Sequence, residues 1–99
     1  MKVGNLFKRM IAKSRLDNLY VDLNEQDLSV VEQLRNEQIT QPIALHYYKI
    51  MHDYGVDEYN QISKEFNLNE LGLEKDKRVQ LFCDYIQVKM SRLNKHLTM

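Results

Sequence analysis

Metal ligation and nucleophilic catalysis are the chemistries open to histidine and cysteine, and both depend on how these residues are spaced. The three histidines are His46, His52 and His96, and the one cysteine is Cys83. Two histidines on a helix hold one metal ion when they are about four residues apart, because both then face one side. His46 and His52 are further apart along the chain and project about 120° from each other. The spacing therefore predicts no metal site, and nothing in the sequence indicates another cofactor.

Cys83 is the residue that could act as a nucleophile, but its surroundings in the sequence are apolar. It falls on the hydrophobic stripe of the last predicted helix, and buried cysteines usually behave as small hydrophobic side chains. A reactive thiol needs a nearby histidine or helix N-terminus, and the sequence indicates neither. The glycines are isolated, so no glycine-rich phosphate loop is predicted either. We therefore predict that the chain is not an enzyme.

The segment "LHYYKIMHDYGVDEY", residues 45–59, concentrates aromatic side chains on one predicted helix. Helical spacing divides them between two sides. Leu45, Tyr48 and His52 share one side, and we predict that they point away from the core as an aromatic-centred protein interface. The other apolar side chains gather within about 120° and are predicted to be core: Ile43, Ala44, Tyr47, Ile50, Met51 and Tyr54.

These side chains must be positioned by helices, because the sequence has 3 glycines and 1 proline and is rich in strong helix formers. We predict an all-α fold, in which residues 1–99 form a single domain. The expected architecture is an irregular bundle of about five helices with the long C-terminal helix packing centrally. The predicted helices are Val3–Leu16, Glu25–Glu37 with Asn24 as N-cap, a third from Thr40 to a stop at Gly55, a fourth from Asp57 to Phe66, and Lys75–His96.

Apolar stripes at helical spacing identify the faces that these helices should bury. On the first helix the predicted core stripe spans about 140° and consists of Val3, Leu6, Phe7, Met10, Ile11 and Ser14. On the last helix it consists of Val79, Phe82, Cys83, Ile86, Met90, Leu93 and Leu97. A second apolar line on that helix, formed by Leu81, Tyr85 and Val88, is predicted to lie outside the core and to contact a protein partner or a second copy.

The charges balance overall, with 14 Lys and Arg against 14 Asp and Glu, so no global field steers the chain to nucleic acid. They are nevertheless segregated, with basic ends and an acidic middle. The segment "KDKR" suggests a second interpretation, in which "YNQISKEFNL" is the first helix of a helix-turn-helix unit. Lys75, Lys77 and Arg78 would then begin a DNA-recognition helix. The long segment between these helices argues against that interpretation.

Nothing in the sequence indicates a membrane-spanning segment, because no apolar run approaches eighteen residues. The N-terminus lacks a signal-peptide pattern, and a lone cysteine suits a reducing compartment, so we expect a cytoplasmic protein. The basic, amphipathic first helix is of a kind that can lie on anionic membranes or in a partner's groove. We expect its apolar stripe to pack on the core instead.

Two functions are consistent with these patterns. The absence of chemical motifs and the two off-core apolar lines favour a small non-catalytic regulator or adaptor that occludes or bridges a larger protein, as a homodimer. The abundance of Asn, Gln, Lys and Tyr is similar to that of accessory proteins from AT-rich bacteria and their phages. The alternative is a helix-turn-helix-like DNA-binding regulator that uses the basic start of the last helix.

Overall fold

The computed structural model describes residues 3–98, with side chains from 4 to 97, and every regular element in that range is an α-helix. Helix α1 is Val3–Arg35, α2 is Gln41–Glu65 and α3 is Arg78–Thr98. The helices run up, down and up, as shown by contacts that pair the first half of α1 with the end of α2 and with the start of α3, and the second half of α1 with the later part of α3. Together they form a narrow rod of 56 × 22 × 17 Å. The all-α prediction is confirmed.

The prediction of about five helices is wrong, because two expected breaks are continuous helix. The prediction that a long C-terminal helix packs centrally is also wrong, because α3 is the shortest of the three and α2 packs most extensively against the other two. Asn24, the expected N-cap, instead lies inside α1 and donates its side-chain amide to the Tyr20 carbonyl at 2.8 Å. The segment around it contains neither glycine nor proline, so nothing in its backbone chemistry interrupts the helix. Helix α2 likewise continues through Gly55 and Asp57, the expected stop and the expected cap. Its start is as predicted, with Thr40 as N-cap.

Gly55 is retained in the middle of α2 because three helices approach one another there. A β-carbon at this position would lie 3.1 Å from the Cys83 sulfur and 3.2 Å from a methyl group of Leu23. Glycine lowers helix propensity by roughly 1 kcal/mol relative to alanine, and the close approach of α1 and α3 explains why it is accommodated. The residue read as a helix terminator is therefore a packing residue.

The face of α1 that joins the core is opposite to the predicted one. The buried side chains of this helix include Ala12, Leu16, Leu19 and Leu23, whereas Phe7 and the rest of the described predicted stripe are exposed. The side chain of Val3 lies outside the described residues. The wrong side was predicted because a break was assumed near Leu16. In a helix that continues to Arg35, the stripe that runs from Ala12 to Val30 is the longer of the two, and it determines the buried side.

Helix α2 is also rotated relative to the prediction. Tyr48 is 1% exposed and packs with Ala44 and Met51, whereas Tyr47 and Tyr54 are about two-fifths exposed. The physical reason is that Tyr48 finds a buried hydrogen-bond partner on α1, which allows a polar tip inside the core. The predicted stripe of α3 is confirmed over most of its length, with Val79, Cys83 and Ile86 buried and Leu97 exposed at the end.

The buried carboxylate of Asp27 connects all three helices. The Tyr48 hydroxyl donates to Asp27 Oδ1 at 2.6 Å, and the Tyr85 hydroxyl donates to Oδ2 at 3.1 Å. Lys89 Nζ donates to Oδ1 at 2.7 Å and lies 4.8 Å from the centre of the Tyr85 ring. We call these four residues the Asp27 cluster. Because the carboxylate is both paired with an ammonium and hydrogen-bonded, its charge is tolerated away from water.

Burial and hydrogen bonding shift the acid–base chemistry of this cluster. Burial, and then the hydrogen bond to Asp27, raise the pKa of Tyr48 to about 12. Burial alone would lower the pKa of Lys89, but its hydrogen bonds to Asp27, Tyr85 and Tyr48 raise it on balance. Both groups therefore stay protonated at neutral pH, with the phenol and the ammonium donating to the carboxylate.

Two backbone caps lie on either side of α2 in the sequence, one at the end of α1 and one in the segment 66–77. At the end of α1, Gln38 N bonds to the Gln33 carbonyl at 2.8 Å, and Glu37 N bonds to the Leu34 carbonyl. This is the Schellman pattern, and it places Glu37 in the left-handed region, with φ 56°. The segment 66–77 contains a similar cap, where the left-handed residue is Gly72. That segment contributes three leucines to the core: Leu68, Leu71 and Leu73.

Replacing Glu37 with glycine is expected to stabilise the protein. Glu37 is exposed and occupies a left-handed backbone conformation that favours glycine. We expect Glu37→Gly to raise the free energy of unfolding by up to about 1 kcal/mol, as measured by urea denaturation. Gln38→Gly, at the neighbouring exposed position without positive φ, is the control and is expected to give no gain. A destabilising Glu37→Gly would contradict the cap geometry.

Alkaline pH is expected to destabilise the fold through Tyr48. Its raised pKa means that the folded protein retains the phenolic proton more strongly than the unfolded chain. The resulting contribution of Tyr48 to the free energy of unfolding is complete below pH 10 and is lost as the pH rises to 12. It amounts to about 2–3 kcal/mol. We expect Tyr48→Phe to make the decline in unfolding free energy between these pH values shallower, whereas Tyr47→Phe, on the exposed side of α2, should leave it unchanged. Equal slopes in both variants would exclude Tyr48 as its source.

Candidate functional site

The predicted interface residues on α2 do not form one exposed patch. Tyr48, expected at its centre, is enclosed in the Asp27 cluster, so the prediction that it points outward is wrong. Leu45 and His52 are half-buried. They line two separate shallow hollows between α2 and α3, one beside Met90 and the other beside Cys83. The three residues do lie on one side of α2, as their spacing predicts, but that side faces α3 and not solvent.

The predicted line on α3 does lie outside the core. We call Leu81, Tyr85 and Val88 the α3 outer line; Leu81 is 64% exposed and the other two are 40–50% exposed. Tyr85 is held in place, because its hydroxyl is bonded to Asp27 and its ring packs edge-on against Phe82 at 5.3 Å between centroids. A fixed aromatic ring loses little conformational entropy on binding, which suits it as an anchor in an interface.

Helix α2 exposes an apolar stripe that the sequence interpretation had assigned to the core. We call it the α2 stripe, and its members are 40–53% exposed: Ile43, Tyr47, Ile50 and Tyr54. The Tyr54 hydroxyl reaches α1 and donates to Asp22 Oδ2 at 3.2 Å. The spacing of i, i+4, i+7 and i+11 was visible in the sequence, but spacing alone does not tell which of two apolar sides is buried.

Helix α1 exposes a third, partly apolar face on the side opposite its core face, which Glu25 and Glu32 share with the apolar side chains. We call it the α1 outer seam, and it consists of Phe7, Met10, Ser14, Val21 and Leu28, all exposed. At 100° per residue these positions lie within about 60° of one another and about 170° from the buried stripe. Phe7 and Leu28, near its two ends, are 64% and 66% exposed. The seam therefore contributes little to the core of a single chain.

The residues proposed for nucleic-acid contact are divided by the structure. Lys75 and Lys77 are exposed in the segment that precedes α3. Arg78 instead forms ion pairs with Asp17 and Asp76, and its hydrogen bonds hold the pKa of both carboxyls below the usual range. Its charge is therefore compensated within the chain, and it fastens the start of α3 to α1. The expectation that it lies free for a DNA phosphate is wrong.

Metal ligands and the cysteine thiol are the groups whose chemistry remains to be located in the part of the chain that the structure describes. No group of three or more His, Cys, Asp or Glu side chains in residues 3–98 is placed to hold a metal ion. Cys83 is buried, and burial, followed by the nearby charge of Asp84, raises the pKa of its thiol. A protonated, enclosed thiol is a poor nucleophile.

Among the described residues, no helix combines the length and apolarity needed to cross a bilayer.

The exposed position of the α3 outer line predicts that it can be changed without loss of stability. We expect the double variant Leu81→Gln/Val88→Gln to keep the unfolding free energy within about 0.5 kcal/mol of the parent, because surface substitutions rarely cost more. Ile86→Ala, on the buried side of the same helix, is expected to cost about 2–5 kcal/mol. Urea denaturation measures both, and a large loss in the double variant would place the line in the core.

No family model, curated protein or solved structure shows a significant match to this chain. What the protein does is therefore inferred from its own surfaces, charges and buried groups.

Proposed function

We propose that this protein is a small non-catalytic adaptor or regulator that works as a homodimer and binds a larger protein through its exposed apolar helix faces, occluding or bridging that partner. The observation that supports the proposal is that α2 and α3 each carry a second apolar stripe at helical spacing that faces solvent, and that α1 exposes Phe7, Met10, Val21 and Leu28. The core is complete without these stripes, since its buried residues come from the opposite or flanking sides of the helices.

The composition of the exposed stripes suits protein recognition. The α2 stripe and the α3 outer line combine aliphatic side chains with three tyrosines, and aromatic residues are enriched where proteins bind one another. Tyr54 and Tyr85 are each fixed by a hydrogen bond to an aspartate of α1. The stripes therefore present preformed aromatic anchors on rigid helices, so binding requires little reorganisation of this chain.

Isolated exposed apolar residues are common in soluble proteins and do not by themselves indicate a binding surface. Here, however, they recur at helical positions on long helices, and a narrow bundle of three helices leaves them in continuous strips. Continuous apolar strips of this kind are typical of interaction sites in soluble proteins. The charge of Arg78 is compensated by Asp17 and Asp76, so two cations of the "KDKR" segment, Lys75 and Lys77, are left for a phosphate backbone. Because affinity for nucleic acid depends on the number of phosphates that cations neutralise, this favours a protein as the partner.

At least one of two exposed surfaces, the α3 outer line or the α2 stripe, is expected to be required for partner capture. Tagged parent protein, Leu81→Gln/Val88→Gln, and Ile50→Gln/Tyr47→Gln should be compared in pull-downs from a lysate of the native host, with mass spectrometry of the retained proteins. We expect at least one protein to be retained by the parent and depleted about tenfold or more by one of the two double variants, because loss of a central apolar contact costs over 1 kcal/mol.

The matched control is Ser91→Gln, a polar change at an exposed position of α3, which should retain the parent's partners. All variants are first compared with the parent by circular dichroism and thermal unfolding, so that loss of binding is separated from loss of fold. Identical protein profiles for the parent and both double variants would reject the proposal. Retained nucleic acid that is released by Lys75→Gln/Lys77→Gln would favour the DNA-binding alternative.

A further inference from the structure

We propose that a hollow at one end of the rod binds a small organic anion, a carboxylate attached to an apolar body of about the size of a medium-chain fatty acid. The hollow lies where the end of α1, the start of α2 and the last turns of α3 meet, and its volume is about 370 Å³. We call it the basic hollow. Its lining includes the apolar or aromatic side chains of Leu34, Tyr48 and Leu93 and the basic side chains of Arg35, Arg92 and His96.

The charges around the basic hollow are of one sign. Its lining contains four basic side chains and no acidic one. One of the four, Lys89, is already paired with Asp27. Arg35 and Arg92 form no ion pair and no side-chain hydrogen bond with any other described residue. Arg35 stands in the last turn of α1, where the helix dipole favours a cation, but no carboxylate of the chain neutralises it. Two guanidinium groups from different helices therefore line one hollow without a counter-ion, and a carboxylate is the group that guanidinium binds with matched geometry.

The base of the basic hollow is apolar. Tyr48 is 1% exposed and closes the inner end, while Val31, Leu34 and Leu93 are half-buried beside it. An apolar ligand body placed there would remove the remaining apolar surface of these side chains from water. Ligand pockets in proteins have volumes of about 300–1,000 Å³, so the hollow suits a ligand at the small end of that range. The ligand is therefore expected to combine an anionic head with an apolar body.

The backbone at the start of α2 favours the same charge. Gln41, the first residue of this helix, lines the basic hollow. The N-cap Thr40 makes no side-chain hydrogen bond to the first turn, and that turn contains no acidic residue. The first N–H groups of a helix have no partner within it, and they form the positive end of its dipole. They add to the attraction that the arginines exert on an anion.

The acidic residues near the hollow favour a compact anion over an extended one. Glu32 and Glu37 lie three residues before and two residues after Arg35 in the sequence, and both are exposed without lining the hollow. The positive potential is therefore confined to the hollow. A nucleic-acid backbone or an anionic bilayer would extend over these glutamates and be repelled by them, whereas a single carboxylate held between the arginines would not.

Binding is tested by titrating sodium decanoate into the 99-residue chain and following its backbone amide signals by NMR. We expect saturable shifts centred on Gln41 and Leu93, with a dissociation constant below about 1 mM. Acetate carries the charge without the apolar body, and decylammonium carries the body with the opposite charge. Each is expected to bind at least about tenfold more weakly than decanoate. No saturable shift with decanoate, or equal affinity for decylammonium, would overturn the proposal.

The role of the arginines is tested with the double variant Arg35→Gln/Arg92→Gln. We expect it to bind decanoate at least about tenfold more weakly, because hydrogen bonds to charged groups are lost. Decanoate should also raise the melting temperature of the parent more than that of the variant, since a ligand that contacts all three helices stabilises the folded state.

The matched control is Lys8→Gln/Lys64→Gln, which removes two exposed positive charges at the opposite end of the rod and should bind decanoate like the parent. Circular dichroism of the unliganded proteins separates loss of binding from loss of fold. Equal affinity for decanoate in the parent and in the arginine variant would contradict the proposed site.

Two further measurements identify other occupants. If decanoate does not bind, but a DNA duplex or vesicles of phosphatidylserine bind the parent and not Arg35→Gln/Arg92→Gln, the hollow belongs to a surface for extended anions and the proposal fails. It fails likewise if the arginines are needed only to retain a captured protein. The adaptor role is tested separately, because the α2 stripe and the α3 outer line do not line the hollow.

Discussion

The Asp27 carboxylate is the group on which the alignment of the three helices depends. It lies on α1 and accepts hydrogen bonds from Tyr48 of α2 and from Tyr85 and Lys89 of α3. Removing a partner from a buried carboxylate destabilises the fold by several kcal/mol. Sliding or rotating α2 or α3 would remove such a partner from Asp27, and this would cost far more than the loss of an apolar contact. Apolar packing favours burial in general, whereas this cluster selects one register.

Some of this architecture could be predicted from the sequence, and the reason for each success or failure is physical. The all-α class followed from composition, and the buried stripe of α3 followed from an unbroken period through Val79, Cys83 and Ile86. The continuity of α1 and α2 was missed because polar segments and Gly55 were interpreted as breaks. Helix interiors tolerate polar residues where they face water, and they tolerate glycine where another helix packs closely.

The candidate interaction surfaces were harder to predict, because periodicity identifies apolar sides without ranking them. On α1 the wrong side was assigned to the core. On α2 the assigned side was rotated, so that Ala44 and Met51 are buried as predicted whereas Ile43, Tyr47, Ile50 and Tyr54 are exposed. On α2 the decisive information was the partner of Tyr48, a carboxylate distant in sequence that spacing cannot reveal. The line through Leu81 and Val88 was placed correctly because the main stripe of α3 was longer and more continuous than its competitor.

The segment 66–77 affects how the molecule opens at one end. Its leucines share the core with the early turns of α1, and Arg9 donates to the Leu71 carbonyl at 3.1 Å. Further along the rod, Arg15 pairs with Glu65 and Arg78 pairs with Asp17, and the middle is fixed by Gly55 packing and by the Asp27 cluster. Because they share these contacts, the segment and the first turns of α1 are expected to open together. Such opening would free the N-terminal part of α1 while the rest of the bundle stays folded.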